Sequence, residues 1–152
     1  MVVPRRDSTC QLREDARAVV KSSKKKNFNE RVGSINDDLA QGTQQGINFF
    51  QVDDSVRVRR SLAQLKGEYS AEDYDRVIAE ISKLEADLGQ TLTKTPEVVT
   101  TSADAIDQRL NSLMDAGANL YAASEIAEAR DDVRYARLDY RRGNYRSANQ
   151  YL

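Results

Sequence analysis

The chain contains no histidine and no tryptophan, a single cysteine (Cys10), two prolines and seven glycines. Without histidine, neither the common zinc-binding sets nor a Ser-His-Asp or Cys-His relay can be assembled within one chain. One cysteine closes no internal disulfide; Cys10 can be a free thiol, a small buried apolar group or half of an intermolecular bridge. So few prolines and glycines leave too little turn punctuation for a sandwich or barrel of many short strands. No apolar run approaches the length of a membrane span. Met1-Val-Val-Pro4-Arg5-Arg6 lacks the apolar stretch of a signal peptide, and the start of the chain assigns no compartment. The phosphate-loop and dinucleotide-binding glycine patterns are also missing.

Carboxylates are plentiful, but Asp37/Asp38, Asp53/Asp54, Glu72/Asp73 and Asp131/Asp132 are adjacent pairs. Neighbours on a helix point about 100° apart and do not converge on one site. Catalytic residues, metal ligands and cofactors are therefore not expected, and the chain reads as a non-enzyme.

What is present is helical. The 152 residues suit one domain, with 39% hydrophobic and 31% charged residues, as in helices that expose much of their surface. Tyr74, Val77, Ile78, Ile81, Leu84 and Leu88 follow the spacing of one helix face. Ser70 and Asp73 resemble a capping box before them, and Gly89 is placed to stop them. Ser55 to Lys66 sets Val56, Leu62 and Leu65 on one side and ends at Gly67, so 55–90 reads as a helical hairpin. Phe28, Val32, Ile35 and Leu39 mark an earlier helix, and Leu12, Ala16, Val19 and Val20 a weaker one. Thr91 to Thr101, with Pro96 inside a Thr/Val-rich run, reads as a linker. Beyond it, Ser102 and Ser124 can cap helices carrying Ile106, Leu110 and Leu113, then Ile126, Ala129, Val133, Ala136 and Tyr140. Asn144 opens a short last segment.

The expected organisation is thus a basic, partly irregular N-terminal segment (1–54), a hairpin (55–90), a linker (91–101) and a C-terminal helical segment (102–152). Within the first of these, residues 1–11 read as irregular. The fold class is all-α: an antiparallel helical bundle or stacked hairpins of five to six helices. Leu62, Leu65, Tyr74, Ile78, Ile81, Leu88, Ile106, Leu110, Leu113, Ile126, Val133 and Tyr140 form the expected core.

Charge is uneven although the net is only −1; residues 1–31 carry nine Lys and Arg against four Asp and Glu, leaving 14 against 20 for the rest. Lys24, Lys25 and Lys26 form a short basic run. It suits either a patch for phosphate, RNA or an acidic protein surface, or a solvated loop between helices. Arg130, Arg134, Arg137 and Arg141 fall in one narrow helical stripe beside an apolar seam. Like charges four apart repel by roughly 0.2–0.5 kcal/mol per pair, so compensation must come from elsewhere. Either the stripe flanks a helix–helix seam, with Arg134 and Arg137 paired to Asp104, Asp107 or Asp115, or it docks an acidic partner. Tyr121, Tyr135, Tyr140, Tyr145 and Tyr151 cluster nearby. The acidic residues Glu125, Glu128, Asp131, Asp132 and Asp139 in the same segment argue against a nucleic-acid face.

The run Gly117-Ala118-Asn119-Leu120-Tyr121-Ala122-Ala123-Ser124-Glu125-Ile126-Ala127-Glu128-Ala129-Arg130, with Ala136 and Gly143-Asn144-Tyr145-Arg146-Ser147-Ala148, resembles a bacterial helical-hairpin family. That family is a domain of unknown function found in predicted periplasmic lipoproteins, often beside peptidoglycan-binding modules. The resemblance runs from about Ala103 onward, with Ala123 standing where the family usually has proline. It implies a structural or binding role near a cell envelope and transfers no catalytic residue.

Three functions fit these features. The first is a structural or protein-interaction subunit that binds partners through helix faces. The second is an accessory subunit of a large membrane-bound assembly. The third is a phosphate or nucleic-acid binder using Lys24–Lys26 or the arginine stripe.

Overall fold

A computed structural model describes residues 6–152, with side chains from Ser8 onward. Among these residues there are six α-helices and no strand: α1 (Arg6–Gln44), α2 (Ile47–Phe50), α3 (Val52–Glu68), α4 (Tyr74–Asp115), α5 (Ala123–Arg141) and α6 (Tyr145–Tyr151). A single 3-10 turn, Ala118–Leu120, links α4 to α5. The all-α expectation holds. Its segmentation does not, because two of the helices are far longer than the pattern suggested.

The first is α1. The expected loop at Lys24–Lys26 is the middle of a continuous helix, since lysines and serines contain no breaker and lysine has good helix propensity. Residues 6–11, expected to be irregular, begin this helix; residues 1–5 of that segment lie outside the described residues. The helix stops at Gly46, whose φ of 85° is left-handed, and not at the earlier Gly42.

The second is α4, which runs straight through the expected linker at 91–101 and through Gly89. Thr/Val-rich sequence survives here because the hydroxyls bond to the helix itself. Thr91, Thr93, Thr95 and Thr100 each donate to the carbonyl four residues back, at 2.8–3.1 Å. Thr91 and Thr95 can therefore be buried without an unpaired polar group. Pro96 is exposed, so its ring meets solvent and not a neighbouring helix.

The 42 residues of α4 span about 63 Å and form the spine of the molecule. Its buried positions are Val77, Ile81, Leu84, Leu88, Thr91, Thr95, Val99, Ala103 and Leu110. Val77, Leu88, Val99 and Leu110 recur every 11 residues, so one seam runs the whole helix and turns by about 60° along it. The first half of the seam is covered by α1 and α3. There Phe28, Val32, Ile35, Leu39, Ile47, Val58, Leu62 and Leu65 join Val77 to Leu88 in one core, and Tyr69 in the α3–α4 turn stacks on Phe28 at 4.3 Å. Arg31 ties α1 to α4 through its ion pair with Glu85 and a 2.9 Å bond to Ser82. Ser70 Oγ accepts the Asp73 N–H at 3.2 Å, as the capping pattern suggested, but α4 itself starts at Tyr74.

The second half is covered by α5, through Ile126, Val133 and Ala136 against Val99, Ala103 and Leu110. The expected hairpin forms, with α3 packed on α4, and the last segment, α6, packs on α5. Of the expected core, Tyr74, Ile78, Ile106 and Tyr140 are only half-buried, and Leu113 is 45% exposed. On α3 the buried valine is Val58 and not Val56, because Val58, Leu62 and Leu65 share the face turned to α4.

The halves meet at an aromatic joint. Tyr140 donates to the Gln45 carbonyl at 3.3 Å, and its ring lies 5.4 Å from both Phe50 and Tyr145. The Tyr145 ring covers Gly46 so closely that a Cβ there would fall 2.8 Å from Tyr145 Cγ. Gly46 thus meets two demands at once, a left-handed turn and a flat floor for a ring.

The same substitution should act oppositely at two glycines. Gly46→Ala must strain the backbone and displace an aromatic ring, a cost of about 1–3 kcal/mol. Gly89→Ala lies mid-helix, where an added Cβ meets nothing within 4 Å, and should stabilise by about 0.5–1 kcal/mol. Chemical denaturation of both variants checks this. Burial, reinforced by Tyr145, pushes the Tyr140 phenol above its ordinary value. Its contribution is complete below the unfolded phenol pKa of about 10 and is lost as pH rises through the folded value. Thermal melts across alkaline pH should show this decline in the wild type and a smaller one in Tyr140→Phe.

Candidate protein-interaction surfaces

The basic surface starts with α1. Every side chain from Ser8 to Ser23 is exposed, so about 24 Å of this helix forms an arm whose base lies beside the α3–α4 turn and whose start projects past it. Its apolar residues nevertheless have a pattern. Leu12, Ala16, Val19 and Val20 share one side of the helix, and Leu12, Val19 and Val20 are 67%, 68% and 51% exposed. At 100° per residue this side lies roughly 140° from the Phe28–Leu39 seam, so the two stripes cannot serve the same partner. Arg13, Arg17, Lys21 and Lys24 run alongside the arm's apolar residues, whereas Glu14 and Asp15 lie on the other sides.

At the base of the arm, Ala16, Arg17, Val20, Lys21 and Lys24 face Ala71 and Glu72 of the α3–α4 turn across an open groove of about 320 Å³. Its floor is apolar and its rim mostly cationic. Lys21 lies 4.0 Å from Glu72, and Lys24 sits over the Tyr74 ring at 5.2 Å. The three lysines of the basic run are not brought together. Lys24 turns to the bundle, Lys26 reaches Glu30 at 3.9 Å, and Lys25 is exposed. They form neither a loop nor a single patch, because consecutive helical residues diverge.

The arginine stripe on α5 is only partly a seam. Arg137 contacts two α4 carboxylates, with 2.7 Å ion pairs to Asp104 and Asp107. The Asp107 hydrogen bond, followed by that of Asp104, raises its guanidinium pKa despite some burial. Arg130 donates to Asn111 Oδ1 on α4 at 2.7 Å, an amide and not a carboxylate. Arg141 Nε donates to the Arg137 carbonyl at 3.3 Å. Arg134, expected to pair like Arg137, makes no ion pair among the described residues and is exposed. Helical phase explains the difference, since Arg134 lies about 60° round the helix from Arg137, away from α4.

Helix α5 therefore has three sides: the buried seam, the arginine stripe, and an outer side bearing Glu125, Glu128, Asp131, Asp132 and Tyr135. All five residues are exposed, and none of the four carboxylates is ion-paired among the described residues. Next to this side, Tyr121 is 92% and Leu120 78% exposed.

Among the described residues no group of histidine, cysteine and carboxylate side chains is placed to hold a metal ion. Among the described residues no helix is long and apolar enough to cross a membrane. Comparison of the chain with protein-family models, curated proteins and solved structures finds no match.

The arm was only half visible in the sequence. Its four apolar residues mark a helix, but the signal that they form a separate surface is their phase relative to Phe28, and this has meaning only once both belong to one helix. The α5 geometry separates two arginines. Arg137→Ala should cost about 1 kcal/mol, the upper range for a half-exposed pair with two partners. Arg134→Ala should change stability by less than about 0.5 kcal/mol. Urea titration of the two variants measures both.

Proposed function

We propose that this protein is a non-enzymatic interaction subunit whose helix faces bind other proteins, with the α1 arm as its docking element. The observation that carries this reading is the exposed apolar stripe of Leu12, Ala16, Val19 and Val20, of which Ala16 and Val20 border the groove at the α3–α4 turn. A helical stretch of this length is marginal by itself, and its apolar face gains from cover. The groove at its base adds an apolar floor with a cationic rim, which favours an acidic amphipathic surface. The C-terminal resemblance, with its implied structural or binding role, points the same way.

Phosphate or nucleic-acid binding has less support. The three lysines diverge, Arg137 is already occupied by Asp104 and Asp107, and the exposed tyrosines stand among carboxylates.

The experiment compares proteins retained by the tagged chain and by Leu12→Glu/Val20→Glu, untagged copies of the chain included. Both positions are exposed, so circular dichroism and the melting temperature should stay unchanged. Loss of the retained proteins from the variant is the expected result. Equal retention by both, or nothing retained by the wild type, would defeat the reading.

A further inference from the structure

We infer that the α1 arm of one molecule docks on the outer side of α5 of a second copy, joining the chains head to tail. This rests on the reading of the arm as a docking element and names its occupant. Charge is the first argument. Residues 8–26 carry six cations against two carboxylates, so two arms placed together repel. The arm needs an acidic surface, and the chain owns one in Glu125, Glu128, Asp131 and Asp132, exposed and without ion pairs among the described residues.

Spacing and length agree. Arg13 and Arg17 stand one turn apart on one side of the arm, with Lys21, already near Glu72, continuing the row at its base, and Glu125, Glu128, Asp132 and Tyr135 recur at helical intervals on α5. The 19 residues of α5 span about 28 Å, close to the roughly 24 Å of the arm. Each surface also carries exposed apolar groups: Leu12 and Val19 on the arm, with Val20 at its base, and Leu120 and Tyr121 beside α5, with Tyr135 half-covered by the Tyr151 ring at 5.7 Å. Exposed tyrosine is well suited to such a contact, with an apolar ring and a polar tip.

The two surfaces cannot meet within one molecule. The arm leaves the bundle where Lys21 faces Glu72, at the start of α4, whereas Arg130 of α5 bonds Asn111 near its end. About 56 Å of helix, Tyr74 to Asn111, separates those points. The contact closes as a two-fold dimer where each arm engages the other copy's α5, and otherwise propagates into a ring or an open chain.

Sedimentation velocity of the full chain, across protein concentration and at low and high salt, tests this. The wild type should exceed the mass of one chain as concentration rises, and high salt should return it toward monomer as the Debye length falls from about 10 Å at 0.1 M to about 3 Å at 1 M. Arg13→Glu/Arg17→Glu and Glu128→Lys/Asp132→Lys should each be monomeric with unchanged circular dichroism. Mixing them should restore assembly, because every arm then finds an opposite α5.

A wild type that stays monomeric at all concentrations overturns the inference, as does assembly unaffected by the α5 variant or a mixture that fails to associate. If the monomeric wild type instead binds phosphatidylserine vesicles or a single-stranded RNA and loses this with Arg13→Glu/Arg17→Glu, the arm serves a phosphate surface. If it is monomeric yet retains a different protein that Leu12→Glu/Val20→Glu releases, the docking function stands and only the occupant is wrong.

Discussion

The molecule depends on one long seam. Helix α4 buries residues from Val77 to Leu110, and no single partner helix covers that length. A strict seven-residue repeat would have wound its neighbours around it as a left-handed coiled coil. The 11-residue spacing instead turns the seam slowly the other way, and the partner changes along it, from α1 and α3 on the first half to α5 on the second. The buried threonines lie at this change. Thr91 and Thr95 are narrower than the leucines before them, and their hydroxyls are satisfied within α4 itself.

A change of partner creates a weak point, and the aromatic joint spans it. Tyr140 and Tyr145 bring the C-terminal hairpin back to Gln45, Gly46 and Phe50, where α1 gives way to α2. Gly42 serves the same region, since a Cβ there would lie 2.6 Å from Ile47 Cδ1 and 2.8 Å from Leu92 Cδ2. Two glycines thus admit the close approaches that hold the halves together. The seven-residue α6 could not stand alone; packed on α5 and α2, with Ala148 fully buried, it becomes part of the joint.

With the seam and joint closed, the surfaces left open lie at the two ends of the spine. One is apolar and cationic, the other aromatic and acidic. The groove at the arm holds one carboxylate, Glu72, near Lys21. In the proposed docking, charge sets orientation and specificity and apolar contact supplies affinity.

The amino-acid pattern by itself determined that the chain is helical, because apolar residues at three-and-four spacing bury well only on a helix face. Val77 through Leu88 and Ile126 through Val133 were legible for that reason, and so was the partnership of Arg137 with Asp104 and Asp107. What local sequence could not decide was continuity. Pro96, Gly89 and the threonines read as breakers, yet a helix interior tolerates them when the ring faces water, the glycine needs no turn and the hydroxyls bond back to the chain. Only the tertiary structure decided that Leu12–Val20 and Phe28–Leu39 are two sides of one helix. Phase along a helix depends on an unbroken chain of hydrogen bonds, and in α1 that chain runs on through Lys24–Lys26, so one side of the arm is fixed relative to the seam far down the same helix.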